Sequence, residues 1–334
     1  MADKKSKNEL MAVFSQRTGP LSLSDIQARM THQVAERTLR RWLDSAVNDG
    51  ALVRTGQKRG TRYELTALPN VSPPEVPLYV QGKSEAEQTR ILTQIRDIWT
   101  HTSTALEGNT LTLGDTHFVL EEGLTISGKP IKEHQEVIGH AKAIDLIYAA
   151  VGQPVTKELV FALHEAVQSE RVWDINKPFG AWKVQPNYAN TVDTRDNPVH
   201  LEYALPSEVP ILMAEVIDEL NVYQTPLSID MAPKIYSKLH AGIAHIHPFW
   251  DGNGRIARLL ANVPLLRSSL PPLIIPKASR REYIQLLATY EIATGQITRD
   301  TGVWPNEDVL MPFTEFVSRC YETTLKIWEG RTSG

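Results

Sequence analysis

The sequence has 334 residues, 42% hydrophobic and 22% charged, an ordinary globular composition with room for two domains. One cysteine, Cys320, excludes an internal disulfide framework, and no apolar run reaches transmembrane length. No apolar stretch follows the charged start Met1-Ala2-Asp3-Lys4-Lys5, so the expectation is a cytoplasmic protein with no signal peptide and no membrane partner.

The net charge of −4 is unevenly spread: residues 1–66 hold 12 Lys/Arg against 7 Asp/Glu, net +5, and the remainder is acidic. A basic head on an acidic body suggests that the head meets a polyanion. Glu9 to Gln16 reads as a short amphipathic helix, and Ser22 or Ser24 can cap a second helix through Met30. Glu36 to Asp49 reads as a third, closed by Gly50, with Leu39, Trp42, Leu43, Ala46 and Val47 on its core face. Ala51 to Thr55 and Thr61 to Thr66 alternate as strands around the basic tip Gln57-Lys58-Arg59-Gly60. Three helices and a basic hairpin resemble a winged helix-turn-helix domain over residues 1–68. That resemblance implies DNA contact through Arg37, Arg40 and Arg41 on the third helix and Lys58, Arg59 and Arg62 in the wing. Dimerisation or protein docking is the competing use of such a domain.

Pro69, Pro73, Pro74 and Pro77 mark a semi-rigid linker over residues 69–83. Ser84 and Glu87 then form a capping box for a helix running towards Thr102, ending in Ser103-Thr104-Ala105-Leu106-Glu107-Gly108-Asn109. His140 and His164 are expected as buried histidines rather than ligands. Lys183 to Val192 and Val199 to Ala204 flank the turn-rich tip Asp193-Thr194-Arg195-Asp196-Asn197, a β-hairpin. Met231, Ile235, Leu239 and Ile243 recur at every fourth position, one buried helical face, with Pro233 in its first turn and Asp230 as its cap.

The chemistry is concentrated in the next twelve residues, His247-Pro-Phe-Trp-Asp-Gly-Asn-Gly-Arg-Ile-Ala-Arg258. Gly252 and Gly254 let backbone approach a ligand closely, and the turn opens an apolar helix expected from Arg255 to Leu266, so its free N–H groups form an anion site. Arg255 and Arg258 share a face of that helix's first turn, where a cation costs about 0.3–1 kcal/mol against the dipole. With no acid in the turn to pair them, they point to a bound polyanion such as a nucleotide polyphosphate. Asp251 is a hard oxygen ligand suited to Mg²⁺ that also carries phosphates. His247 can take a proton from an incoming hydroxyl. Phe249 is expected to be buried and to pin the loop. His245 and His247 lie two apart on a helix and point to different sides, so a His-x-His metal site is not expected.

The stretch resembles the signature of the Fic (Fic/Doc) family, His-x-Phe-x-(Asp/Glu)-Gly-Asn-Gly-Arg-x-x-Arg, at every defined position. The resemblance, over roughly residues 84–330, implies a mainly α fold: a helical core in residues 84–334 carrying a β-hairpin flap, preceded here by the small α+β winged-helix domain. It implies a protein adenylyltransferase that moves AMP from ATP to a Ser, Thr or Tyr hydroxyl of a protein, the chain itself included, with Mg²⁺ as cofactor. By the same likeness His247 is the general base and Asp251 the Mg²⁺ ligand. Gly252, Asn253 and Gly254 would line the hole for the α- and β-phosphates, Arg255 would bind phosphate and Arg258 the γ-phosphate. Ser103 and Glu107 match the family's inhibitory motif, in which Glu107 offers Arg258 a carboxylate in place of the γ-phosphate. The hairpin matches the flap that registers a target strand, and Tyr283 and Leu287, on a helix from Ser279, match an element near the nucleoside. Lys183 departs from the arginine usual in relatives. Two other functions compete: removal of AMP at the same site, and a DNA-binding regulator whose core senses nucleotide. A homodimer is allowed by the sequence, which neither requires nor excludes it.

Overall fold

The computed structural model describes residue 13 and residues 21–30, 34–48, 52–56, 60–65, 76–168, 174–193, 197–223 and 226–330. The expected helix at residues 9–16 (all but Val13), the wing-tip residues Lys58 and Arg59, Gly50 and the first three linker prolines lie outside that set. The chain divides between Val71 and Ser72 into two compact units.

In the first unit, α1 (Leu23–Arg29) starts at Ser22, whose Oγ accepts from Asp25 N while Asp25 returns a carboxylate to Ser22 N. That reciprocal box selects Ser22 over Ser24 as the cap. Helix α2 (Glu36–Asn48) follows, then the antiparallel pair β1 (Leu52–Thr55) and β2 (Arg62–Leu65), in register Leu52 to Leu65 and Thr55 to Arg62. Ile26, Leu39, Trp42, Leu43, Leu52 and Tyr63 form the small core, with Val47 at its edge.

The second unit is helical. Helix α3 (Glu85–Leu106) is closed at its start by the Ser84–Glu87 capping box and ends at Glu107, followed by Gly108 at φ 107°. Then come α4 (Leu113–Glu122), α5 (Ile131–Ala150), α6 (Lys157–Val167), the hairpin β3 (Tyr188–Val192) with β4 (Pro198–Glu202), and α7 (Val209–Val222). Helix α8 (Ala232–Ile246) leads into the signature loop, α9 (Asn253–Leu260) out of it, and α10 (Val263–Arg267), α11 (Arg280–Thr294) and α12 (Met311–Trp328) complete the unit.

Helix α8 is the axis of this unit. Every residue from Ala232 to Ile246 except Lys234 and Lys238 is buried, and a helix apolar all round belongs in the centre of a core. Burying Tyr236, Leu239 and Ile243 contributes roughly 1.5–3 kcal/mol per side chain, and it fixes in space the point where His247 leaves the helix.

Three expectations are corrected. Asp230 does not cap α8: the helix begins after Met231 with no side-chain cap, Pro233 supplying its pre-set first turn instead. Met231 itself is exposed, so the buried face starts at Ile235. The single helix from Arg255 to Leu266 is two, because Pro264 has no N–H to continue the ladder. Asn262 fills the break, its amide donating to Arg258 O and Leu273 O. At the far end of residues 69–83, Leu78–Val80 is a 3₁₀ turn, Tyr79 and Val80 are buried, and Trp328 Nε1 donates to Tyr79 O.

Candidate active site

His247 terminates α8 in the left-handed region, φ 52° and ψ 59°, unusual for a residue with a Cβ. Its N–H still bonds Ile243 O at 3.1 Å, so the turn completes the helix while swinging the side chain out of line. The imidazole Nδ1 lies 3.1 Å from Ala244 O. A carbonyl only accepts, so Nδ1 carries the hydrogen and Nε2 is left with its lone pair free for a proton. Tyr203, one residue past β4, stacks on the ring at 3.9 Å between centroids and 11° between planes. Burial pushes the His247 pKa down to about 4; the Ala244 carbonyl opposes this in part, and the Lys183 cation adds to it. The ring is therefore a neutral base at physiological pH, and its proton resonance, assigned by loss in His247→Ala, is expected to titrate below pH 5. A midpoint at the ordinary value near 6.5 would contradict this environment.

The loop after His247 is closed by Asn253. Its Oδ1 accepts from Phe249 N at 2.8 Å and its Nδ2 donates to Phe249 O at 2.9 Å. The Phe249 ring is fully buried and stacks on His164 at 4.0 Å, which anchors the loop as expected. With its amide consumed, Asn253 has only backbone to offer an anion. Gly252 is the N-cap of α9 at φ 80° and has no side chain to satisfy the first-turn N–H groups, which leaves them for a ligand. At Gly254 a Cβ would strike the Glu107 carboxylate, and Arg258 Nη1 is the next neighbour at 3.0 Å.

The two arginines are held differently. Arg255 Nη1 donates to Val167 O at 2.7 Å, and Nη2 lies 3.2 Å from Asp251 Oδ2. The reading of both arginines as unpaired is thus corrected for Arg255, whose acid sits just before the turn. Arg258 reaches back 155 residues in sequence to α3, with Nε on Ser103 Oγ at 3.0 Å and Nη2 on Ser103 O at 2.9 Å. Nη2 also meets Glu107 Oε1 at 2.6 Å, and Nη1 donates to Tyr283 OH at 3.0 Å. The Arg258 side chain is 3% exposed and that of Glu107 43%. One end of the pair is stripped of water and the other is half in it.

Asp251 is 53% exposed at its side chain, and among the described residues no group of three or more His, Cys, Asp or Glu gathers around a point. Such a donor set fits a cation that brings its own phosphate and water oxygens, as Mg²⁺ does, and does not fit an all-protein cage. Among the described residues both ring nitrogens of His140 are buried without partners, and burial holds His140 and His245 as neutral core histidines.

Four contributors escape a reading of local pattern. Tyr203 and Asn187 flank the flap, Val167 contributes only a carbonyl, and Glu291 is a carboxyl 7% exposed on α11. Tyr283 is buried, and its hydroxyl joins Arg258 to His240 Nε2. Burial pushes the Glu291 pKa up to about 8. The folded chain therefore holds a proton there that the unfolded chain has released above about pH 4.5. Stability falls as pH rises through that window and levels off above pH 8, by an amount on the order of a few kcal/mol. Glu291→Gln is expected to flatten the loss of urea midpoint between pH 5.5 and 8.5; an unchanged slope would contradict the shift.

In the first unit Arg37, Arg40 and Arg41 are exposed on α2, but Arg40 Nε and Nη2 both donate to Glu36 Oε1, at 2.9 and 2.7 Å. Lys58 and Arg59 lie outside the described residues, so the basic face read from the sequence is only partly placed.

Residues 154–265 match the Fic/DOC family model. The chain is 32% identical over 237 residues to a protein adenylyltransferase Fic of Drosophila willistoni, 69% of this chain and 41% of that protein, so it spans about two fifths of that relative. A Fic domain containing signaling protein from Bacteroides thetaiotaomicron superposes with a TM-score of 0.64 at 25% identity, over 76% of this chain and 95% of that one. Fic-1 from C. elegans superposes with a TM-score of 0.58 at 26% identity, over 75% and 68%. No helix among the described residues is long and apolar enough to cross a membrane. Signature, fold and relatives agree: residues 154–265 of this chain are a Fic/DOC family domain.

Proposed function

We propose that the chain is a protein adenylyltransferase restrained by its own α3. The observation that carries this reading is the convergence of Ser103, Glu107 and Tyr283 on Arg258 of α9, the helix that the loop from the neutral His247 leads into. The first-turn N–H groups of α9 would bind the α- and β-phosphates of ATP, with Arg255 alongside, and Arg258 would take the γ-phosphate in place of Glu107. Asp251 would hold Mg²⁺, which when bound neutralises phosphate charge and orients the leaving pyrophosphate.

The acceptor is a Ser, Thr or Tyr hydroxyl of a protein. His247 Nε2 removes its proton as the hydroxyl oxygen forms a bond to the α-phosphorus. The bond from that phosphorus to the bridging oxygen breaks, and pyrophosphate leaves with the electron pair. AMP remains on the protein and the proton on His247, from which water collects it. The exposed strands of the flap supply backbone edges along which the acceptor chain would lie. Intact-mass measurement after incubation with Mg·ATP tests the reading: one added AMP per modified site supports it. Pre-modified protein that loses AMP only while Glu107 is intact would instead assign the reverse reaction.

A further inference from the structure

Four consecutive carbonyls around the general base, those of Ile246, His247, Pro248 and Phe249, are all gripped by one five-residue segment. Lys183 N donates to Pro248 O at 2.8 Å, and Lys183 Nζ donates to Ile246 O at 3.2 Å and to Asn187 Oδ1 at 2.5 Å. Asn187 Nδ2 then bridges Phe249 O at 3.0 Å and His247 O at 3.4 Å. Asn187 O in turn accepts from Tyr203 N at 3.3 Å, and Tyr203 carries the ring stacked on the imidazole. The backbone of His247 and one face of its ring are thus both referred to the same flap-root residue.

The arrangement is expensive. Lys183 is 3% exposed, and its ammonium meets only neutral oxygens in the contacts above. Burial pushes its pKa down to about 7. A buried amine without a carboxylate weakens a fold unless its hydrogen bonds are needed where they are. Here they are needed. The last carbonyls of α8 have no partners within the helix, and His247 leaves it in a backbone conformation that costs on the order of 1–3 kcal/mol and persists only where its surroundings hold it.

We propose that Lys183 and Asn187 are positioning residues that fix the reach of the His247 imidazole, so that the root of the flap and the general-base loop behave as one piece. The inference rests on the adenylyl-transfer reading above. It makes the segment that precedes the target-facing strand β3 also the ruler for the base, so a strand seated on the flap stiffens the loop that deprotonates its hydroxyl.

The test uses the full chain carrying Glu107→Gly, with Asn187→Ala, Lys183→Met or Lys183→Arg added. AMP incorporation is expected to fall about ten- to hundredfold in Asn187→Ala and Lys183→Met, the cost of a misplacement on the order of 1 Å. The Kd for Mg·ATP should change by less than about threefold, because neither residue touches the phosphate grip. Amide exchange across residues 246–253 should accelerate, and Lys183→Arg, which keeps a donor and a charge, should recover most of the rate. Should Lys183→Met not fold, Asn187→Ala decides alone. Unchanged incorporation, or a Kd that weakens in step with the rate, would overturn the proposal. If the Glu107→Gly parent incorporates no AMP, the functional reading fails, and unaltered exchange at 246–253 then separately overturns the clamp.

Discussion

Glu107→Gly is expected to raise AMP incorporation by about ten- to hundredfold. The carboxylate lies 2.6 Å from Arg258 Nη2, and a hydrogen bond to a charged group contributes about 1.5–3 kcal/mol, the advantage an incoming γ-phosphate must overcome. Ser103 Oγ, Ser103 O and Tyr283 OH remain to orient the guanidinium after the substitution. The variant should be less stable than the parent without nucleotide, since a buried cation has lost its anion. Saturating Mg·ATP should return that stability, because phosphate takes the vacated place. Equal incorporation by variant and parent, with no nucleotide-dependent rise in melting temperature, would show that Glu107 restrains nothing.

His247→Ala in the same background is expected to lower incorporation by about 10²–10⁴-fold, the usual contribution of a positioned proton acceptor. The companion variant His247→Asn separates chemistry from shape. Asparagine tolerates φ 52°, and its amide can donate to Ala244 O as Nδ1–H does, but it cannot accept a proton. Both variants should bind Mg·ATP with a Kd close to the parent's, since Nε2 belongs to the acceptor side of the site. If His247→Asn retained the parent rate, the proton would have to leave by another route.

What the residues disclosed by themselves was mostly local. The capping box at Ser84 and Glu87, the buried four-residue period of α8 and the glycine turn before α9 each depend on neighbours within one or two helical turns, and spacing alone reports those. The contact of Arg258 with Ser103 and Glu107 spans more than 150 residues, so the family likeness, not periodicity, is what links those residues in the sequence. Tyr203 and Asn187 were invisible because an aromatic at a strand end and an asparagine before a strand are ordinary turn and sheet residues. They matter only because the flap folds back over His247. Asp230 misled because it has the chemistry of a cap, whereas Pro233 already provides the helical start. The Asn253 amide is spent on Phe249, so at the proposed anion site only its backbone is left to bind.

The central claim is that α9 and its loop hold ATP so that the α-phosphorus faces an acceptor hydroxyl beside His247. Parallel incubations of the Glu107→Gly protein with ATP labelled at the α- or the γ-phosphate test it most directly. Retention of the α-label on protein, with the γ-label leaving as pyrophosphate, is the expected result. Transfer of the γ-label would make the reaction a phosphoryl transfer, and the absence of both labels would mean that the junction at Gly252 grips no reactive nucleotide.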